Sequence, residues 1–102
     1  MDTVVASIPS FEDFAANVNS IFTASADGAE AAKFELIEAK ELFSDERTQS
    51  FSLLFLTDSD VRAEQGIFSL SNASIGSHDL FLVPIRQTDD GLVFEASFNL
   101  VK

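Results

Sequence analysis

The sequence predicts a mainly β (α+β) fold, a small antiparallel β-barrel or sandwich of about six strands with one N-terminal amphipathic helix. Most of the second half reads as short apolar runs: Ser50-Phe-Ser-Leu-Leu-Phe-Leu-Thr57, Gly66-Ile-Phe-Ser-Leu70, Asp79-Leu-Phe-Leu-Val-Pro-Ile85 and Leu92-Val-Phe-Glu-Ala-Ser-Phe-Asn-Leu100. Polar or glycine-bearing turns separate them, as hairpin connections do. A capped apolar stripe near the start supplies the helix, and closure of the sheet is favoured because it hides strand edges.

Residues 1–9 read as an N-terminal arm and residues 10–102 as a single β-rich domain. Ser10 stands as an N-cap before Phe11-Glu-Asp-Phe14, with an acid three residues on and Pro9 preceding. Phe11, Phe14, Val18 and Phe22 recur at helical spacing and predict a short amphipathic helix over about residues 11–19, with Ile21 to Thr23 already extended. Ser25-Ala-Asp-Gly28 is turn chemistry. Residues 30–43 are ambiguous: Ala32, Leu36, Ala39 and Phe43 fit a helical stripe, whereas Phe34 and Leu36 begin a strand alternation, and propensity favours helix.

Ser44 to Thr48 is a polar loop. From Phe51 to Leu56 both faces would be apolar, which predicts a central strand covered on both sides. Asp58 to Glu64 is a charged loop, and Gln65-Gly66 reads as a turn device in which glycine permits positive φ or close backbone approach. Phe68 and Leu70 share one face of the next strand, and Gly76 marks the following turn. Pro84 cannot donate a ladder hydrogen bond, so it belongs at an edge, a bulge or a strand end. Thr88-Asp-Asp-Gly91 signals a hairpin turn. The final strand points Leu92, Phe94, Ala96, Phe98 and Leu100 inward and Val93, Glu95, Ser97 and Asn99 outward.

Composition restricts function. Eleven Phe with no Tyr and no Trp are hydrophobic filling without the polar handle that binding faces use. Seventeen acids against six Lys and Arg give a net charge of -11, which opposes a nucleic-acid backbone or an anionic membrane. No Cys is present, so disulfides and thiolate metal sites are excluded. The first nine residues carry an acid where a signal peptide needs bases, so no Sec-type export is expected.

Few residues suggest chemistry. His78, the sole histidine, reads as an exposed loop residue; catalysis would need an orienting carboxylate such as Asp79 and a nucleophile that the sequence does not identify. Asp58-Ser-Asp60 is a weak calcium signal, since it lacks the Gly and Glu of an EF-hand loop. Asp58, Asp60 and Glu95 could form a glycosidase-like acid pair, but a sugar cleft usually stacks rings on Trp or Tyr. Glu95 otherwise reads as the wet face of an alternating strand. No catalytic, cofactor-binding or metal residue is assigned, and no cofactor is expected.

Phe51-Ser-Leu-Leu-Phe55, Gln65-Gly-Ile-Phe68, Ile75-Gly76, Leu80-Phe-Leu-Val-Pro84 and Phe94-Glu-Ala-Ser-Phe-Asn99 stand in order along the chain. This series resembles a small uncharacterised bacterial domain family with Phe-Ser-Leu-Leu-Phe, Gln-Gly-x-Tyr, Leu-Gly, Leu-Phe-Leu-Val-Pro and Tyr-Glu-Ala-x-Phe-Asn segments. The resemblance implies a strand at residues 30–43. Phe68 and Phe94 stand where the family usually has Tyr, so any role of those hydroxyls is lost here. Members are often encoded beside fibre proteins bearing a phage-tail-collar type domain. By that association the resemblance implies a non-enzymatic structural or assembly component of a phage tail, tail-like particle or fibre system, in a virion or a cytoplasmic assembly. The partners implied are proteins, either tail or fibre proteins or further copies in a homo-oligomer, and neither nucleic acid nor membrane. The alternative is a β-barrel holding a small apolar ligand inside a Phe-lined interior.

Overall fold

In the computed structural model, residues 10–26, 29–58 and 63–101 are described. A short helix α1 (Phe11–Ala15) precedes six antiparallel strands, β1 (Ile21–Ala26), β2 (Ala29–Ser44), β3 (Thr48–Thr57), β4 (Gly66–Asn72), β5 (Gly76–Thr88) and β6 (Gly91–Val101). Their pairing forms a closed barrel in the order β1-β2-β3-β6-β5-β4. The chain is thus mainly β with one short N-terminal helix.

The capping box at α1 is complete. The Ser10 hydroxyl accepts from the Asp13 N–H, and the Asp13 carboxylate accepts from the Ser10 N–H, each at 3.2 Å. Two donors that the helix itself leaves unpaired at its start are thereby satisfied. The helix ends at Ala15 instead of reaching residue 19, and residues 16–19 form turns. Asn19 adopts φ 80°, the left-handed conformation that Asn tolerates at helix ends. Its N–H donates to the Leu36 carbonyl at 2.6 Å, and the Leu36 N–H donates to the Ser20 carbonyl at 3.1 Å. Phe22 therefore lies in β1, not in the helix. Ser10→Ala is expected to cost about 1 kcal/mol, read from the midpoint of urea unfolding followed by circular dichroism.

Residues 29–44 are a strand throughout, against their helical propensity. A bulge explains why their apolar pattern looks helical. Leu36 pairs with Phe55 but Glu38 pairs with Leu54, leaving Ile37 as an extra residue. Phe34 and Leu36 point inward before it and Ala39, opposite inward Leu53, after it. The inward spacing of three between Leu36 and Ala39 is what imitates a helical stripe. A second bulge between Glu41 and Phe43 turns Phe43 to the outer face, where it is exposed, so Phe43 is not part of the inward stripe.

β3 pairs with β2 and β6 along nearly its whole length, which makes it the central strand. Its inner side is fully covered, with Phe51, Leu53 and Phe55 buried, and its outer side in part, with Ser52 buried and Leu54 and Leu56 half-buried. At the β2–β3 turn the Asp45 carboxylate accepts from the Arg47 and Thr48 N–H groups, each at 2.8 Å. Pro84 precedes a bulge in β5, where the register with β6 shifts between Pro84 and Arg86. β6 follows the predicted alternation: Leu92, Phe94 and Ala96 are buried, with Phe98 and Leu100 packed against the core.

The interior holds two aromatic groups. Phe34 lies with its ring centroid 5.5 Å from Phe68, 5.5 Å from Phe94 and 6.4 Å from Phe55. Phe22 meets Phe55 edge-on at 5.6 Å. Nearer α1, Phe51 and Phe98 stack at 4.7 Å, and Phe11 and Phe14 pack onto them. The tilted and edge-on geometry of most pairs is the one that ring quadrupoles favour.

Candidate functional site

Among the described residues, those that the sequence singles out for chemistry do not converge. His78 lies within β5 and is half-buried, correcting the expectation of an exposed loop residue. It shares the side of β5 that carries Leu80 and Leu82, and its Nε2 is 3.1 Å from the Ile75 carbonyl. Asp79, next along the strand, points to the opposite face, where its carboxylate accepts from the Ser69 hydroxyl. Asp79 therefore does not orient His78.

The carboxylates are also separated. Glu95 pairs with Leu54, four residues before Asp58 on β3, so the backbones stand about 13 Å apart along the strand. Asp60 lies outside the described residues. Among the described residues no group of three His, Asp or Glu side chains is placed to hold a metal ion. Gly66 contradicts its expected role: its φ is not positive and a Cβ there would meet nothing within 4 Å. Gly66→Ala should therefore change unfolding stability by less than about 1 kcal/mol.

What the surface does offer is apolar sheet. Ile67 and Phe81 pair across β4 and β5 on the outside and are 73% and 53% exposed. Farther round, Leu56 pairs with Val93, and Val93 with Arg86. Val93 is buried although it points outward on an alternating strand; the sequence pattern marks its direction but not the flanking side chains that cover it. Beside this row, Glu95 is half-buried between Leu54 and Val83. Leu42, Phe43 and Val101 are exposed toward the end where β2, β3 and β6 run together.

A family model described as a domain of unknown function, DUF6916, matches residues 9–98. The chain belongs to the DUF6916 family. No curated protein and no solved structure matches it. In this DUF6916 domain the five ordered segments singled out in the sequence fall on β3, the entry to β4, the β4–β5 turn, β5 and β6. Most of their large apolar residues are interior, including Phe51, Leu53, Phe55, Leu80, Leu82 and Phe94. The segments thus carry much of the core of the fold. Phe68 and Phe94 meet each other at 5.7 Å inside the barrel, where a ring without a hydroxyl leaves no polar group to satisfy.

Proposed function

We propose that this DUF6916 domain is a non-enzymatic structural or assembly component that acts through protein–protein contacts in a phage tail, tail-like particle or fibre system. The observation that carries the contact reading is the distribution of apolar surface: Ile67, Phe81 and Ile85 stand exposed on the outer sheet while aromatic rings occupy the interior. Exposed apolar groups on a rigid sheet are suited to a macromolecular partner. The tail or fibre setting comes from the association implied by the family resemblance. The separation of His78, Asp79, Asp58 and Glu95 supports a role without catalysis.

The packed rings around Phe34 also favour external contacts over an internal apolar ligand. A net charge of -11 favours a partner with basic character around its contact. Affinity capture of the tagged chain from its native source, repeated at rising salt, tests this. Tail or fibre proteins should be retained at low salt and lost as ionic strength screens the attraction. Retention that does not change with salt would contradict the electrostatic part, and recovery of the chain as a free monomer at every salt would overturn the contact reading.

A further inference from the structure

The ring of strands is joined unevenly at the β5/β6 seam. Pairing there runs only from Val83 opposite Glu95 to Thr88 opposite Gly91. Beyond Glu95, β6 continues to Val101 and pairs with β3 alone, from Ala96 opposite Leu53 to Val101 opposite Thr48. On the far side of β3, β2 likewise runs past the reach of β1, whose ladder stops at Ile21 opposite Glu35. Among the described residues, β2, β3 and β6 therefore form a three-stranded ribbon whose two edges pair with no further strand.

These edges differ in kind. The β2 edge carries Glu38, Lys40 and Glu41 and two bulges, the devices by which sheets block edge-to-edge pairing. The β6 edge, Ala96-Ser-Phe-Asn-Leu-Val101, has no charge and no proline, and its ladder with β3 has no register shift. In a chain that is 23% charged, this edge carries none of the devices that block pairing, and among the described residues no strand pairs with it beyond Glu95. Val101, at its end, is 84% exposed.

We propose that β6 pairs with β6 of a second copy, antiparallel about a twofold axis at Asn99, so that the two ribbons become one continuous sheet. The face alternation of β6 requires the register to join residues of like parity. With Asn99 opposite the second copy's Asn99, Phe98 lies opposite Leu100 and Ser97 opposite Val101 in both directions. Half-buried Phe98 and Leu100 then gain an apolar cross-strand neighbour. No like charges stand opposite each other at the contact, which is what makes the edge self-complementary in so acidic a chain. The overall charge of -11 per copy still opposes approach at long range, so this pairing should tighten as salt rises, opposite to the behaviour expected for a basic partner. It deepens the contact reading by naming one partner, and it is tested on the purified chain alone, apart from any tail or fibre protein.

The test is sedimentation equilibrium of wild type, Asn99→Lys and Asn99→Asp, each alone and the two variants mixed in equal amounts, at low salt and at about 0.5 M salt. Wild type should show a concentration-dependent dimer that strengthens with salt. Either variant alone places like charges opposite across the axis and should weaken dimerisation about tenfold or more. Mixing them sets Lys opposite Asp and should restore the dimer. Unchanged circular dichroism in both variants excludes misfolding as the cause, and recovery on mixing requires folded chains in any case. A wild type that stays monomeric at high concentration and salt overturns the proposal. So does a dimer insensitive to both substitutions, or one that mixing does not restore; a dimer of that kind uses another surface.

Discussion

Gly91→Ala is expected to destabilise the domain by about 3 kcal/mol or more, because both backbone conformation and packing oppose a side chain there. Gly91 has φ 141°, which L side chains rarely adopt, and a Cβ would be driven into the Thr57 carbonyl oxygen. That oxygen belongs to the backbone of the central strand and cannot move without disturbing the β3–β6 ladder, in which Thr57 pairs with Leu92. The turn itself is tied by Thr88, whose hydroxyl donates to the Gly91 carbonyl at 3.1 Å and accepts from the Asp90 N–H at 3.1 Å. Urea unfolding monitored by far-ultraviolet circular dichroism measures the loss, since the chain has neither Trp nor Tyr for fluorescence. A variant within about 1 kcal/mol of wild type would show that the close approach to Thr57 is absent in solution.

Phe34→Ala should cost about 3–5 kcal/mol, through lost transfer free energy and the cavity left behind. Phe34 is 0% exposed, and its ring meets Phe55, Phe68 and Phe94, which come from three other strands. For a domain of ordinary stability, about 5–15 kcal/mol, that is a substantial fraction of the total. Phe81→Ala is the matched comparison, since the same side chain there is exposed and opposes Ile67; its cost should stay below about 1 kcal/mol. Equal losses at the two positions would contradict the assignment of inside and outside on these strands.

The fold was most legible where one strand keeps one period. β6 alternates without interruption from Leu92 to Leu100, and its inward residues are those the pattern marks. The helix start was equally readable, since Ser10 and Asp13 form a local pair that needs no tertiary context. Legibility fell where a bulge broke the period. Residues 30–43 look helical because the extra residue at Ile37 places Leu36 and Ala39 three apart on one face, and only pairing with β3 reveals the strand. The helix end was misjudged because Asn19 takes a left-handed turn to reach the Leu36 carbonyl, a contact made across sequence.

The candidate site was less legible than the fold. His78, following Gly76-Ser77 at a turn signal, suggested a loop, yet β5 begins at Gly76. Glu95 was marked as outward, but not its position between Leu54 and Val83. The β6 edge could not be read at all, because its openness depends on where β5 stops pairing. Its lack of charge was visible, but that means nothing until the edge is known.

The central claim is that this DUF6916 domain works by contact within an assembly. The most direct measurement is the mass of the native particle carrying the chain, from size analysis of an extract of its source followed by identification of co-migrating proteins. The account predicts a large assembly containing tail or fibre proteins. A free chain of 11.1 kDa, or a small self-associated species with nothing else bound, would contradict it.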